Sequence, residues 1–244
     1  MLLYNSKSHL EVNGYKKCHG ILEKNIVHAG IPRHDKEWIE FICNQFDVVK
    51  DDIFDSFVFI IGRQTSPYHT IARKRKALKD IYNVICVKNK LKLVIKKHPK
   101  ESLNGIDGDI YRDVLGMDNY GKTWLFSNSH PFILGKKSLF SISFYSGVPI
   151  DMLAINKPTI EYLDLEGTNK ILFKDENGKL VSQYGLVNLV ISVSSKLELE
   201  QYVGSILNKY ESTLLPLKQN YEKYFEPIND ASGMVANDIY KKIQ

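Results

Sequence analysis

Residues 140–165 carry the pattern that most limits what this chain can fold into. Phe140, Ile142 and Phe144 alternate with Ser141, Ser143 and Tyr145, the two-residue period of a strand. Ser146-Gly147 breaks the alternation, and Pro149 suits the first turn of a helix. That helix is expected to run to Ile155, with Asp151 in its first turns and Lys157-Pro158 as its stop. Thr159 to Leu163 reads as the next strand. A strand, a tight turn, a short helix and another strand make a crossover unit, which calls for a parallel sheet. The turn leaves serine hydroxyls and backbone N–H groups unpaired, a place that suits a phosphate and equally suits a structural turn.

The rest of the chain repeats the alternation of strand and helix. Ser56-Phe-Val-Phe-Ile-Ile-Gly62 is a near-continuous apolar run, as expected of a strand buried on both faces. A long helix is expected from Thr70 to Lys88, with Ile71, Leu78, Ile81, Tyr82 and Ile85 inward and Arg73-Lys-Arg-Lys76 on a solvated face. Leu91 to Lys97 reads as a strand that delivers His98 into a loop. A short helix near 109–115 and a strand over 123–127 follow, then His130-Pro131 and a helical segment. Asn25 to Gly30 reads as a short strand, with Asp35 capping a helix to Phe46 whose inner side carries Trp38, Ile39, Phe41 and Ile42. A hairpin is expected within 171–181 around Asp-Glu-Asn-Gly-Lys, and a last strand within 186–193. Helices are expected over 196–210, 213–224 and 231–243. The class is α/β: a Rossmann-like parallel sheet flanked by helices, with further helices at the C-terminus.

Ligands of such sheets sit beyond the carboxyl ends of the strands. Gly62-Arg63, His98-Pro99, Ser127 to His130 and Ser143 to Gly147 all fall at expected strand C-termini, so all four should face one rim. His28, His34 and Asp35 would approach an interdomain cleft, and none of them is identified as a base.

Composition sets the remaining bounds. Apolar residues make up 43% and charged residues 25% of the 244, ordinary for a globular protein with a real core. No apolar run approaches the roughly 20 residues of a membrane helix, and the start lacks a signal-peptide core. The three cysteines, Cys18, Cys43 and Cys86, are irregularly spaced, which indicates neither a disulfide framework nor a zinc site. A reducing cytoplasm is the expected location. The net charge of +5 suits an anionic ligand or a peripheral place at the inner face of a membrane, and is too weak to argue for nucleic acid.

Two stretches carry a family resemblance. Val94-Ile-Lys-Lys-His-Pro-Lys100 resembles the strand followed by His-Pro of GT-B glycosyltransferases of bacterial capsule and surface-polysaccharide synthesis. These are related in style to bacterial sialyltransferases and Kdo transferases. Ser141-Ile-Ser-Phe-Tyr-Ser-Gly147, then Asp151 and Asn156-Lys-Pro-Thr-Ile-Glu161, is similar to that group's serines, helix, Gly-Lys-Pro and strand, with Asn156 where Gly is frequent. The same stretch is similar to the Ser-Gly-Gly segment of UDP-N-acetylglucosamine 2-epimerases. The resemblance implies the C-terminal, donor-binding half of a GT-B enzyme. Residues 1–50 would be an N-terminal arm or the remnant of an acceptor domain, and 51–244 the nucleotide-sugar-binding domain.

Carried over, the resemblance implies that His98, Ser143, Ser146, Gly147 and Arg63 hold the donor phosphate. Glu161 would accept ribose hydroxyls, with His130 and Asp151 in support. It implies no cofactor and no metal, the donor being a CMP- or UDP-linked sugar. It identifies no catalytic base. The implied partners are the nucleotide-sugar, a glycan acceptor and a second chain supplying the acceptor side. The implied activity is sugar transfer in capsule or surface-polysaccharide synthesis; the alternative is a non-catalytic nucleotide-sugar-binding or assembly module of the same ancestry.

Overall fold

The computed structural model describes residues 3–4, 26–46, 54–67, 69–163 and 173–244. Leu3–Tyr4 (β1) pairs in parallel with Ile26–Val27 (β2); the rest of the arm expected over 1–24 lies outside the described residues. A 3-10 turn, Pro32–His34, leads to α1 (Lys36–Phe46). Next come β3 (Phe57–Ile61), α2 (Ile71–Tyr82) with its π-helical continuation Asn83–Lys88, β4 (Lys92–Lys96) and α3 (Ile106–Leu115). They are followed by β5 (Trp124–Phe126), α4 (Pro131–Lys137), β6 (Ser141–Ser143), α5 (Val148–Ala154) and β7 (Thr159–Tyr162). A hairpin of β8 (Phe173–Lys174) and β9 (Leu180–Val181) precedes α6 (Gln183–Leu186) and β10 (Ile191–Val193). Helices α7 (Lys196–Asn208), α8 (Tyr210–Phe225) and α9 (Ala231–Ile243) end the chain.

Among the described residues, six strands form one parallel sheet in the order β10-β7-β6-β3-β4-β5. From β3 the chain runs outward to β4 and β5, then returns to the other side of β3 with β6. The loops after β3 and β6 therefore leave in opposite directions, which opens a crevice at the carboxyl ends of these two central strands.

Side chains from both faces of the sheet are buried. Val58, Ile60, Leu93, Ile95, Ile142 and Ile160 pack with residues of α2, α3, α7 and α8. Phe57, Phe59, Ile61 and Val94 pack on the opposite face with Ile39 and Ile42 of α1, Phe132 to Leu134 of α4 and Met152 of α5. Each fully buried side chain of this size contributes about 1.5–3 kcal/mol, so the sheet and its two helical layers hold one another. No helix among the described residues is long and apolar enough to cross a membrane.

Several local expectations give way. The serine face of β6 is buried as deeply as its apolar face, because β6 lies inside the sheet. Trp38 and Phe41 are 44% and 48% exposed and stack on each other at 5.7 Å, while only Ile39 and Ile42 turn into the core. Ile71, expected inward, is 41% exposed. Lys74, placed by its neighbours on a solvated face, is fully buried. The last strand is short, with α6 occupying the start of the stretch expected to extend. Asp35 precedes α1, yet its carboxylate accepts from the amides of Ala231 (3.0 Å) and Ser232 (2.8 Å), so it secures the start of α9. Asn156 has a φ of 58°, a left-handed value that asparagine tolerates at a helix end in place of glycine.

Candidate functional site at the carboxyl ends of β3 and β6

The loop leaving β3 begins with Gly62. A Cβ there would lie 2.5 Å from Oε2 of Glu101 and 2.8 Å from the carbonyl of Lys96, so only glycine lets the β3 and β4 loops approach this closely. Arg63 follows, its guanidinium 5.9 Å from the centre of the Tyr145 ring. Tyr145 leaves β6 with a φ of 57°, a left-handed conformation that a bulky residue adopts only under constraint. This turn directs the chain through Ser146 and Gly147 into α5. The Ser146 hydroxyl accepts from the amide of Val148 at 3.2 Å.

Arg63, Tyr145, Ser146 and Gly147 line a pocket of about 160 Å³ whose other walls are Glu161, Gln183 and Tyr184. Glu161 is 1% exposed and accepts a hydrogen bond from the Ser182 hydroxyl. Burial pushes its carboxyl up to about 7, with the Ser182 hydroxyl and the Tyr145 amide pulling the other way. Its second oxygen, Oε1, has no hydrogen-bond partner.

His98 lies on the β4 loop outside the lining of this pocket, its amide nitrogen 3.1 Å from where a Gly62 Cβ would stand. Its Nδ1 accepts from the amide of Lys100 at 3.1 Å, which leaves Nε2–H as the donor of the neutral ring. Burial and the neighbouring Arg63 cation hold its imidazole below the ordinary value, against the opposing carboxylate of Glu101. His130 lies on the β5 loop, where its Nδ1 accepts from Phe132 at 3.2 Å and starts α4. Burial and Lys96 lower its pKa, and the nearby Asp151 raises it.

The expected phosphate-binding set therefore divides. Arg63, Ser146 and Gly147 line one pocket, and His98 is not among its lining residues but lies on the β4 loop that approaches Gly62. Ser143 is placed differently: it is fully buried in β6 beneath the rim, its hydroxyl unpaired. It is not among the residues that line the pocket, although its register partner on β7, Glu161, is. Asp151 pairs with Arg33 Nε and His34 Nε2, each at 2.7 Å, and His34 Nδ1 lies 2.8 Å from the Tyr221 hydroxyl. This network ties the segment before α1 to α5 and α8.

Sequence reasoning missed the groups that hold the rim loops. Lys74 Nζ donates to Oε1 of Glu101, to Oδ1 of Asp107 at 2.8 Å and to the carbonyl of Arg63 at 3.0 Å. The other Glu101 oxygen accepts from the His98 amide, and the Asp107 carboxylate accepts from the Thr65 amide at 3.2 Å. Tyr111 adds a hydrogen bond to Glu101 at 3.0 Å. One buried ammonium thus fixes both the β3 and the β4 loop. No local signal marks Lys74 among four consecutive basic residues. Gln183 and Tyr184 also escaped notice, since they enter the site from α6, distant in sequence.

No protein-family model matches the chain, and no curated protein matches it by sequence. Solved structures do match by fold. Staphylococcus aureus MnaA with UDP superposes with a TM-score of 0.60 at 12% identity, over 98% of this chain and 60% of that one. The UDP-GlcNAc 2-epimerase of Neisseria meningitidis, bound to UDP-GlcNAc, gives 0.60 at 16% identity, over 91% and 57%. An H444N variant of the wall teichoic acid polymerase TagF, soaked with CDPG, gives 0.59 at 11% identity, over 100% and 57%. These neighbours have GT-B folds, and the present chain has the Rossmann-like architecture of a GT-B half. It spans 57–60% of the length of these three neighbours.

Proposed function

We propose that the crevice between β3 and β6 binds the phosphates of a nucleotide-activated sugar or polyol, and that the chain is the donor-binding part of a glycosyltransferase acting in surface-polysaccharide synthesis. The observation that supports this most is the meeting of Arg63, Ser146 and Gly147 in one pocket at the strand-order reversal, with His98 on the β4 loop that approaches Gly62. A guanidinium, a hydroxyl and an imidazole N–H can orient a leaving phosphate and neutralise its charge without a metal. Solved structures of the same fold carry UDP, UDP-GlcNAc or CDPG. In this reading the acceptor, a growing glycan, is brought by another domain of the same or a second chain, at the inner face of the membrane.

Calorimetric titration with UDP, CDP and CMP tests the site. Arg63→Ala and His98→Ala should each weaken nucleotide binding by about 1–3 kcal/mol, the scale of a charge-assisted hydrogen bond. Unchanged affinity in both variants, or no binding by the parent chain, would overturn the assignment. A second reading is a non-catalytic nucleotide-sugar-binding module of the same ancestry that assembles with a separate transferase. Transfer assays with the chain alone and with candidate partner chains separate the two.

A further inference from the structure

Phosphate binding does not account for the polar row that crosses the sheet behind the pocket. Backbone register sets Ser143 of β6 beside Glu161 of β7, and Glu161 beside Ser192 of β10. One step deeper, Ser141 and Thr159 stand side by side and satisfy each other through a 2.7 Å hydroxyl contact. In the row nearer the rim no such pairing occurs. Ser143 Oγ, Glu161 Oε1 and Ser192 Oγ are all buried without a hydrogen-bond partner, three of the four such side-chain atoms among the described residues. An unpaired buried polar atom costs about 1–3 kcal/mol. Glu161 is the member of the row that also lines the pocket.

The pocket's size and charge select its guest. Its volume of about 160 Å³ is below the ~300–1,000 Å³ of sites that enclose a drug-sized ligand, so it receives the end of a nucleotide-sugar rather than the whole molecule. Arg63, Ser146 and Gly147 suit the terminal phosphate, whereas the Glu161 carboxylate disfavours an anion against itself. A neutral group next to the phosphate that donates hydrogen bonds suits Glu161. Gln183 and Tyr184 on the facing wall supply further polar partners. We propose that this pocket takes the hydroxyl-bearing group carried on the nucleotide's terminal phosphate, a sugar or short polyol, with one hydroxyl donating to Oε1 of Glu161. The proposal rests on the nucleotide reading above, and it moves Glu161 from the ribose to the transferred group.

The test is calorimetry on the full chain at pH 8 with UDP, UDP-GlcNAc, CDP and CDP-glycerol, for the parent and Glu161→Gln. The expected result is that at least one nucleotide-linked group binds about tenfold tighter than its free nucleotide, a gap of about 1.4 kcal/mol. Glu161→Gln should erase that gap while leaving UDP and CDP within about twofold of the parent, a change of about 0.4 kcal/mol. Gln183→Ala, which alters the opposite wall, should narrow the same gap and serves if Glu161→Gln does not fold. Equal weakening of free and sugar-linked nucleotide by Glu161→Gln would return Glu161 to the ribose and overturn the proposal. A gap absent from the parent, or unchanged in the variants, would also overturn it and identify the unpaired atoms as a water site. Binding of no nucleotide at all would overturn the underlying reading as well.

Discussion

Ser143 and Ser146 are three residues apart and chemically identical, yet they end in opposite environments. Ser146 lies past the end of the strand, where its hydroxyl meets the amide of Val148. Ser143 is inside β6, and its hydroxyl meets nothing. Ser143→Ala is therefore expected to be neutral or to raise stability by about 1 kcal/mol, since it removes a buried unsatisfied group. Urea denaturation of parent and variant measures this, and a loss of 1 kcal/mol or more would show that the hydroxyl has a partner in solution. His98 and Arg63 were legible from sequence because each follows an apolar strand that places it at the rim. The fate of Ser143 was not, since alternation alone does not say that both faces of β6 are covered.

At the scale of elements, the buried cluster on α2 organises the rim. Lys74 touches the β3 loop through Arg63 and the β4 loop through Glu101, while Asp107 reaches from the start of α3 to Thr65. Removing the ammonium leaves two carboxylates without compensation, so Lys74→Met should cost about 3–5 kcal/mol in chemical denaturation. Adding Glu101→Gln should recover part of that loss, because the two residues share one network. Additive losses would mean that the contacts are energetically independent. The Arg73 to Lys76 run pointed toward solvent, and for Arg75, which pairs with Asp113 at 2.7 Å on the surface, that reading holds. Helical geometry turns Lys74 roughly 100° from its neighbour, enough to carry it from the surface to the interior. Only the packing of α2 against the sheet and α3 decides which of the four is enclosed.

Across the whole molecule, two buried titrating groups oppose each other. The Glu161 carboxyl is raised by burial from 4.5 to about 7, with the Ser182 hydroxyl and Tyr145 amide facing it. The stability it lends is full below about pH 4.5 and lost as pH rises to 7. His69 is lowered from 6.5 to about 4 by burial and by Lys74, Arg63 and Arg73, against Asp107. Its contribution is full above pH 6.5 and lost as pH falls to 4. Glu161→Gln should thus be more stable than the parent at pH 8 by up to about 3 kcal/mol, since each factor of ten in proton affinity corresponds to roughly 1.4 kcal/mol. The advantage should vanish near pH 4. Melting temperatures across this range check it, and a constant difference would assign the effect to packing instead. The sequence by itself determined the α/β alternation and the side of the sheet on which Arg63, His98 and Ser146 emerge, because strand period, helix stops and a shared strand direction are local properties. Tertiary structure alone decided the strand order that opens the crevice between β3 and β6, the enclosure of Lys74 and the approach of α6 to Glu161. Those depend on which elements become neighbours, and burial, charge pairing and pocket walls are properties of neighbours rather than of residues.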